Sequence, residues 1–507
     1  MATPQEKLAA SLQVLRELQN KNKVAFKTGD ISRTHRESLL MNNFIQEVLP
    51  GWYIFNFYNN PPGSSTSWYL AYWDFCAQYL NDRFGENYCL SAEHSIAIHT
   101  EDLTIPQQLI IRSTEGNNLP TSLPFNTSLF AYKSPLPNNA EIETVKGLRV
   151  LTLPTSIIQC SRTAYQKNPI EMRTALTQIS DSSELLGILL ENGSSTIAGT
   201  IAGAYRNIGN NQFADKIVRT MKATGYDIRE NDPFENPTLG AIKYRYNSAY
   251  AVRIQLMWEQ MREEIIQIFP KPNPTHHNTQ EYLHKIDELY TADAYHSLSI
   301  EKYNVSEELI EKVKNGQWDV QGNSADNSQR DAMAASGYHQ AFQAVKNSIE
   351  KIMQGENPGE IIHNDHGEWY LKLFSASVNA GILKPSDLAG YRNTLVSIGS
   401  SQHTPPGVES MRASMKIYLE LLKQEPNPAV RAVLGHFIFV FIHPYVDGNG
   451  RMGRFIMNAM LASGGYPWTI IPVEKRDEYM NALELASVNK DIKPLTKFIS
   501  EIIFSKS

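Results

Sequence analysis

The chain has 507 residues, 42% hydrophobic and 20% charged, with a formal net charge of -6. That length suggests about three domains with ample apolar core, and the acidic balance excludes a chain-wide nucleic-acid binder. Three cysteines, Cys76, Cys89 and Cys160, are too few for a disulfide scaffold and lack zinc-ligand spacing. The longest apolar run, Phe437 to Ile442, is far short of a bilayer span, and Met1 to Asn20 has no secretory apolar core. A cytoplasmic chain without membrane contact is expected, and an effector exported by a dedicated secretion machine would have the same composition.

Residues 5–20 carry Leu8, Leu12, Leu15 and Leu18 at helical spacing, and 32–48 read as a second helix. Leu49-Pro50-Gly51 then turns the chain into Trp52-Tyr53-Ile54-Phe55, a β-rich run. Helices followed by a strand pair form a winged-helix pattern, with Arg33, His35 and Arg36 near the start of a recognition-type helix. This assigns 1–60 to a winged-helix-like module and leaves DNA as one partner option. A helix over 68–84 follows. Strand-like runs come next at Ser95–Ile98, Gln108–Ile111, Thr127–Tyr132 and Leu148–Pro154, then helical sequence over 169–190.

Residues 182–229 read as helical, with small residues at Ala198, Gly199, Ala202 and Gly203 that permit close packing of another helix. The loop Asn231–Pro237 is the clearest boundary, so 61–230 is read as an α+β and helical domain and 231–329 as a helical linker region. Tyr250 to Phe269 should be a helix stopped by Pro270. His276-His277 beyond it reads as solvated loop. Residues 280–313 are helical and charged, and Gln321–Gln329 forms a second linker. From 330 to 507 helices are expected at 331–354, 368–380, 386–393, 408–424, 428–442, 450–464, 475–488 and 493–504. Only Val396 to Gly407 has strand and turn chemistry.

Between two of those helices lies His443-Pro444-Tyr445-Val446-Asp447-Gly448-Asn449-Gly450-Arg451-Met452-Gly453-Arg454. Asn427-Pro428 should cap and open the preceding helix, and Pro444 should end it, leaving His443 at its exit. Gly448-Asn449-Gly450 can converge backbone N–H groups on an anion, and the following helix adds its N-terminal dipole. Arg451 and Arg454 lie on one helical face and can fork onto phosphate oxygens. Asp447 could hold Mg²⁺ between phosphates, and His443 could take a proton from an attacking hydroxyl. Together they describe phosphoryl-type transfer by alignment and charge neutralisation.

Gly448-x-Gly450-x-x-Gly453, with Glu474 about 20 residues on, also fits the dinucleotide fingerprint. The five residues between the apolar run and the first glycine, the surplus arginines and Pro472 weigh against that reading.

The twelve-residue stretch resembles the Fic family signature H-P-F-x-D-G-N-G-R-x-x-R, with Tyr445 in place of Phe. The resemblance spans about 330–505. It includes His436, Asp387-Leu388-Ala389-Gly390-Tyr391-Arg392 and the Arg476, Tyr479, Ala482 and Leu483 flank. It implies a mainly α protein: an all-helical Fic core with one β-hairpin flap, preceded by an α+β, winged-helix-like N-terminal region. The latter also resembles, diffusely, the antitoxin-like domain of AbiEi-type abortive-infection systems.

The Fic resemblance implies transfer of AMP from ATP to a Ser, Thr or Tyr hydroxyl of a target protein. His443 would be the base and Asp447 the Mg²⁺ ligand. Gly448, Asn449 and Gly450 would form the anion nest, and Arg451 and Arg454 would grip the outer phosphates. Ser397, Ile398, Gly399, Ser400, Ser401, Gln402 and His403 would align the target main chain, and Tyr479 would line the adenine side. Alternatives within the fold are UMP or phosphate transfer, or AMP removal. A different class is a DNA-binding regulator with a Fic sensor.

Many Fic proteins carry an inhibitory Ser/Thr-x-x-x-Glu-Gly/Asn motif whose glutamate pairs with the second arginine. Glu86, Glu115, Glu191, Glu230, Glu235 and Glu356 precede Gly or Asn, and none has Ser or Thr four residues earlier. Ser194-x-x-x-Ala198-Gly199 is the nearest echo. The expectation is therefore that Arg454 has no glutamate partner within the chain. Packing, a lost glutamate, or restraint by a partner or homodimer remain to explain the small-residue helix.

Overall fold

The computed structural model describes residues 3–21, 23–56, 63–235, 248–271, 278–317, 326–381 and 383–504. His276-His277 and most of the 321–329 linker lie outside the described residues. The chain forms two compact units, Met1–Ala249 with Ser397–Thr404, and Tyr250–Val396 with Pro405–Ser507.

The first unit opens with α1 (Pro4–Asn20), β1 (Ala25–Lys27), α2 (Arg33–Met41), β2 (Ile45–Leu49) and β3 (Trp52–Phe55). Thr3 and Glu6 close a capping box on α1. The strands form an antiparallel sheet in the order β1-β3-β2, over a small core that includes Leu15, Leu18, Phe26, Leu39 and Tyr53. The helix expected over 32–48 stops at Met41, because β-branched and apolar Ile45–Leu49 pairs with β3 instead. The basic residues here have local partners. Arg33 pairs with Glu37, the His35 ring meets the Ser11 hydroxyl, and Arg36 covers the Tyr53 ring.

There follow α3 (Thr66–Phe84), β4 (Tyr88–Leu90), α4 (Ala92–His99), β5 (Gln108–Ser113), β6 (Pro120–Ser122), β7 (Ser128–Lys133), β8 (Ile142–Val145) and β9 (Leu148–Leu151). In α3, Trp68, Tyr72 and Phe75 recur at helical spacing and are fully buried. A mixed sheet runs β4-β5-β7-β6, with β5 and β7 parallel, and β8 pairs with β9. The strand expected at Ser95–Ile98 is helix α4. Ser91 caps it by accepting from the His94 N–H, so a local cap overrode the short apolar run.

The unit closes with α5 (Leu153–Gln159), α6 (Arg162–Lys167), α7 (Pro169–Gln178), α8 (Ser183–Asn192), α9 (Ser195–Asn207) and α10 (Asn211–Ala223). The glycines of α9 do permit a close approach, that of an extended chain. Asn231 N–H donates to the Gly199 carbonyl (3.1 Å), and a Cβ on Gly199 would collide with the Arg229 carbonyl oxygen. Close packing explains these residues.

The second unit contains α11 (Ala249–Ile268), α12 (Thr279–Ile300), α13 (Glu307–Lys314), α14 (Asp326–Met353), α15 (Pro358–Asn379), α16 (Val408–Gln424), α17 (Pro428–Ile442), α18 (Asn449–Ala462), α19 (Arg476–Val488) and α20 (Lys493–Phe504). Helices α11 to α13, expected to stand apart as a linker region, pack inside this unit. The helix expected at 386–393 is a single 3₁₀ turn over Pro385–Leu388. Helix α17 is the centre of the unit, with Val430, Leu434, Phe437, Ile438 and Ile442 fully buried. Asn427 caps it by accepting from Ala429 and Val430 N–H (2.9 and 3.2 Å). Among the described residues no helix is long and apolar enough to cross a membrane.

The glycine requirement in α9 is testable. Gly199→Ala should lower stability by about 1–3 kcal/mol through forced backbone displacement, read as a lowered melting temperature. Gly187→Ala, in α8 with open space around it, should leave the melting temperature unchanged or slightly raised.

Candidate active site

Helix α17 ends at His443, whose backbone takes a left-handed conformation (φ 54°). That conformation is costly for a non-glycine residue, and Arg392 stabilises it. Its Nε donates to the His443 carbonyl (2.8 Å), its Nη1 to the Thr394 carbonyl (2.8 Å) and its Nη2 to the Pro406 carbonyl (2.6 Å), while its own N–H donates to the Pro444 carbonyl (2.9 Å). The half-buried His443 ring places Nδ1 3.2 Å from the Val440 carbonyl. Burial, with the Arg392 charge behind it, lowers the imidazole to about 4. It is therefore neutral near pH 7 and able to accept a proton.

The loop from His443 into α18 is closed by Asn449. Its amide accepts from Tyr445 N–H (3.0 Å) and donates to the Tyr445 carbonyl (2.9 Å). In this structure the Asn449 side chain shapes the loop from within. Tyr445, the departure from the signature's Phe, stacks on Tyr370 with ring centroids 3.8 Å apart. Gly448 is left-handed (φ 81°), and a Cβ there would lie 2.7 Å from the Phe374 ring, so only glycine fits. The Asp447 carboxylate is exposed and accepts from Gly448 N–H (2.6 Å).

Helix α18 thus begins at Asn449 with its first N–H groups at the loop, a site that favours anions. Arg451 is buried between the Phe374 and Tyr303 rings (4.9 and 5.1 Å). Among the described residues its Nε and Nη2 make no hydrogen bond, and the Asp447 carboxylate is 3.5 Å away. Arg454 is also buried, and its Nη1 lacks a hydrogen bond. Buried guanidinium N–H groups without acceptors are costly, so this cradle fits an anionic ligand rich in oxygen acceptors.

Part of the cradle is filled from within the chain. Glu301 pairs with Arg454 Nη2 (2.8 Å), and Ser297 accepts from Arg454 Nε at its hydroxyl (2.9 Å) and from Nη2 at its carbonyl (3.0 Å). A Cβ on Gly450 would collide with the Glu301 carboxylate, so Gly450 is what lets that acid reach the helix start. Burial works against the Arg454 charge, but Glu301 together with Tyr479 and Tyr338 outweighs it and raises the guanidinium pKa.

The expectation that Arg454 has no glutamate partner is overturned. The partner, missed in sequence, is Ser297-x-x-x-Glu301-Lys302, with lysine where the motif has Gly or Asn. The reason is local. Helix α12 stops with Lys302 left-handed (φ 65°), and Tyr303 N–H donates back to the Leu298 carbonyl (3.1 Å). That stop favours Gly or Asn but tolerates another residue at about 1–2 kcal/mol. Relaxing the last motif position would have found it. The same stop also sends Tyr303 against Arg451.

The structure also rules out the dinucleotide reading, because Phe437–Ile442 is helical and not a strand. Gly453 instead serves helix packing. A Cβ there would lie 2.7 Å from Nδ1 of His436, whose Nε2 meets the Tyr479 hydroxyl (2.6 Å). Tyr479 is buried in that contact.

The flap candidates Ser397 to His403 lie in the first compact unit. They reverse at a turn, with Ser401 N–H donating to the Ile398 carbonyl (3.1 Å) and Ser400 left-handed, but form no strand ladder. Ile105 N–H donates to the Gln402 carbonyl (3.0 Å), and His403 is buried. The expected β-hairpin is thus a turn whose main chain bonds partly elsewhere.

The loop thus brings together a helix start, two buried arginines and a histidine at the exit of the preceding helix. The Fic/DOC family profile matches residues 361–461. "Protein adenylyltransferase Fic" of Drosophila grimshawi is 30% identical over 218 residues, covering 42% of this chain and 41% of that protein. The Drosophila mojavensis protein of the same name is 37% identical over 125 residues, 24% of each chain. This chain therefore spans about two fifths of the longer-matching curated relative. Among solved structures, Fic-1 from C. elegans is 19% identical, covering 68% of this chain and 96% of that one, with a TM-score of 0.38. The likeness is thus to the Fic/DOC family over residues 361–461.

Two depressed histidines give a pH signature. Burial lowers His436 to about 3, helped by the Arg454 charge, and His443 to about 4. Folded values below the unfolded 6.5 mean that the unfolded chain binds more protons between them. Their stabilisation is complete above pH 6.5 and is lost as pH falls toward 4. The urea midpoint should drop over that window, and His443→Gln should drop less than the unaltered protein. An equal drop in both would remove the assignment.

Proposed function

We propose that this chain transfers AMP from ATP to a Ser, Thr or Tyr hydroxyl of a protein, and that Glu301 restrains the transfer. The observation carrying the proposal is the pair of buried arginines at the start of α18, with guanidinium N–H groups left without acceptors. The names of the curated relatives support the same reaction. In it, Arg451, Arg454 and the N–H groups from Gly448 to Gly450 hold the phosphates. The outward Asp447 carboxylate would hold Mg²⁺, an ion that takes few protein ligands and neutralises phosphate charge when bound.

His443, neutral and at the loop entrance, removes the proton from the target hydroxyl. The hydroxyl oxygen bonds to the α-phosphorus and pyrophosphate leaves. Glu301 opposes this by placing its own carboxylate at the anion site, where it competes with phosphate for Arg454.

Incubation with each α-labelled nucleoside triphosphate tests donor and reaction together. ATP should label the protein or a target, whereas labelling by another triphosphate alone would replace the donor. His443→Ala should lower label transfer by about 10²–10⁴-fold, the usual contribution of a general base, with ATP binding retained by calorimetry. Glu301→Gly should raise labelling by roughly 5–150-fold, the usual size of a coupling between two sites. A Glu301→Gly protein no more active than the original would refute the restraint.

A further inference from the structure

Asp293 and Ser297 of α12 and Glu301 at its C-terminal cap are three polar residues at four-residue intervals on one side. The last two grip Arg454. The first is almost fully buried and touches neither arginine through a hydrogen bond. Its Oδ2 accepts from the Tyr338 hydroxyl of α14 (2.7 Å), and its Oδ1 accepts from Trp468 Nε1, in the segment after α18 (3.1 Å). The Tyr338 ring packs on Phe455, next to Arg454 in α18, with centroids 4.9 Å apart, and the Trp468 ring packs on Phe342 of α14 at 5.1 Å.

A carboxylate buried with two neutral donors is costly compared with an apolar side chain. Burial raises Asp293 to about 6 despite both hydrogen bonds and the Arg454 charge. What the acid supplies in return is direction. Two donors from two different elements fix how far α12 is rotated, which packed apolar groups specify less sharply.

The rest of the same seam follows suit. Tyr282 donates to the Tyr466 carbonyl (3.0 Å), Val473 N–H donates to His296 Nδ1 (3.1 Å), and Arg476 Nε donates to the Ile300 carbonyl (2.8 Å). From Tyr466 to Arg476, the segment that follows the arginine-bearing helix straps α12 along its length.

We propose that Asp293, clasped by Tyr338 and Trp468, is the positioning residue that sets Ser297 and Glu301 on Arg454, so that this clasp and not the ion pair alone decides how tightly the enzyme is restrained. The proposal rests on the restraint reading given above. Loosening the clasp lets α12 turn or fray at its C-terminal end, lifts Glu301 from Arg454 and frees the anion site.

Tyr338→Phe and Trp468→Phe test it, because each keeps ring volume and removes one donor. Self-labelling with α-labelled ATP should rise about ten- to a hundredfold in each, the range expected for losing one hydrogen bond to a charged acceptor. In a Glu301→Gly background neither substitution should raise it further, because the restraint is already gone. A purely structural role would change both backgrounds equally, and that result overturns the proposal.

Amide hydrogen exchange provides a readout independent of the reaction. Exchange across 294–302 should quicken by a similar factor in both variants, and unchanged exchange there also overturns the proposal. Quickened exchange with no labelling in any variant, Glu301→Gly included, would uphold the clasp while removing the transferase reading beneath it.

Discussion

The second unit depends on one buried guanidinium. Arg454 sits at the first turn of α18 where water does not reach, so its charge must be met by the protein or by a ligand. Ser297 and Glu301 meet it on one side, while Nη1 remains without an acceptor on another. A carboxylate and a phosphate oxygen are chemically interchangeable to an arginine fork at a helix N-terminus. A geometry suited to a phosphate therefore also suits the chain's own glutamate. Restraint of this kind needs no separate domain movement. It needs a helix that stops at the right residue and faces the right way.

How the loop holds its shape is a second matter, solved mostly by residues outside it. Arg392 binds the carbonyls of His443, Thr394 and Pro406, which steadies a histidine in a conformation it does not prefer. Phe374 crowds Gly448 so that no side chain fits, and the Tyr370 ring supports Tyr445. Within the loop, Asn449 ties itself to Tyr445 at both backbone groups. These contacts lower the freedom of the loop before any ligand arrives, which is how a site made of short-range groups gains from pre-organisation.

Small residues carry a comparable burden in both units, for different neighbours. In α9, Gly199 and Gly203 let the extended 229–231 chain run against the helix. In α18, Gly450 admits the Glu301 carboxylate and Gly453 admits the His436 ring. Glycine spacing alone does not distinguish these cases from a phosphate fingerprint, since each requires only the absence of a Cβ.

The twelve residues from His443 to Arg454 announced the loop and its two flanking helices by themselves, because both follow from local rules, a proline stop and glycine backbone freedom. Helices α16, α17 and α20 likewise began and ended where their caps and periodicity predicted. Partnership across the chain was not legible in the same way. Glu301 stands 153 residues before Arg454 and is followed by a lysine that a strict motif search rejects. The turn of 397–403 and the inclusion of α11 to α13 in the second unit were settled by packing and by competition for hydrogen bonds among distant segments. Local sequence decides which backbone conformations are cheap, whereas only the folded chain decides which buried charges meet.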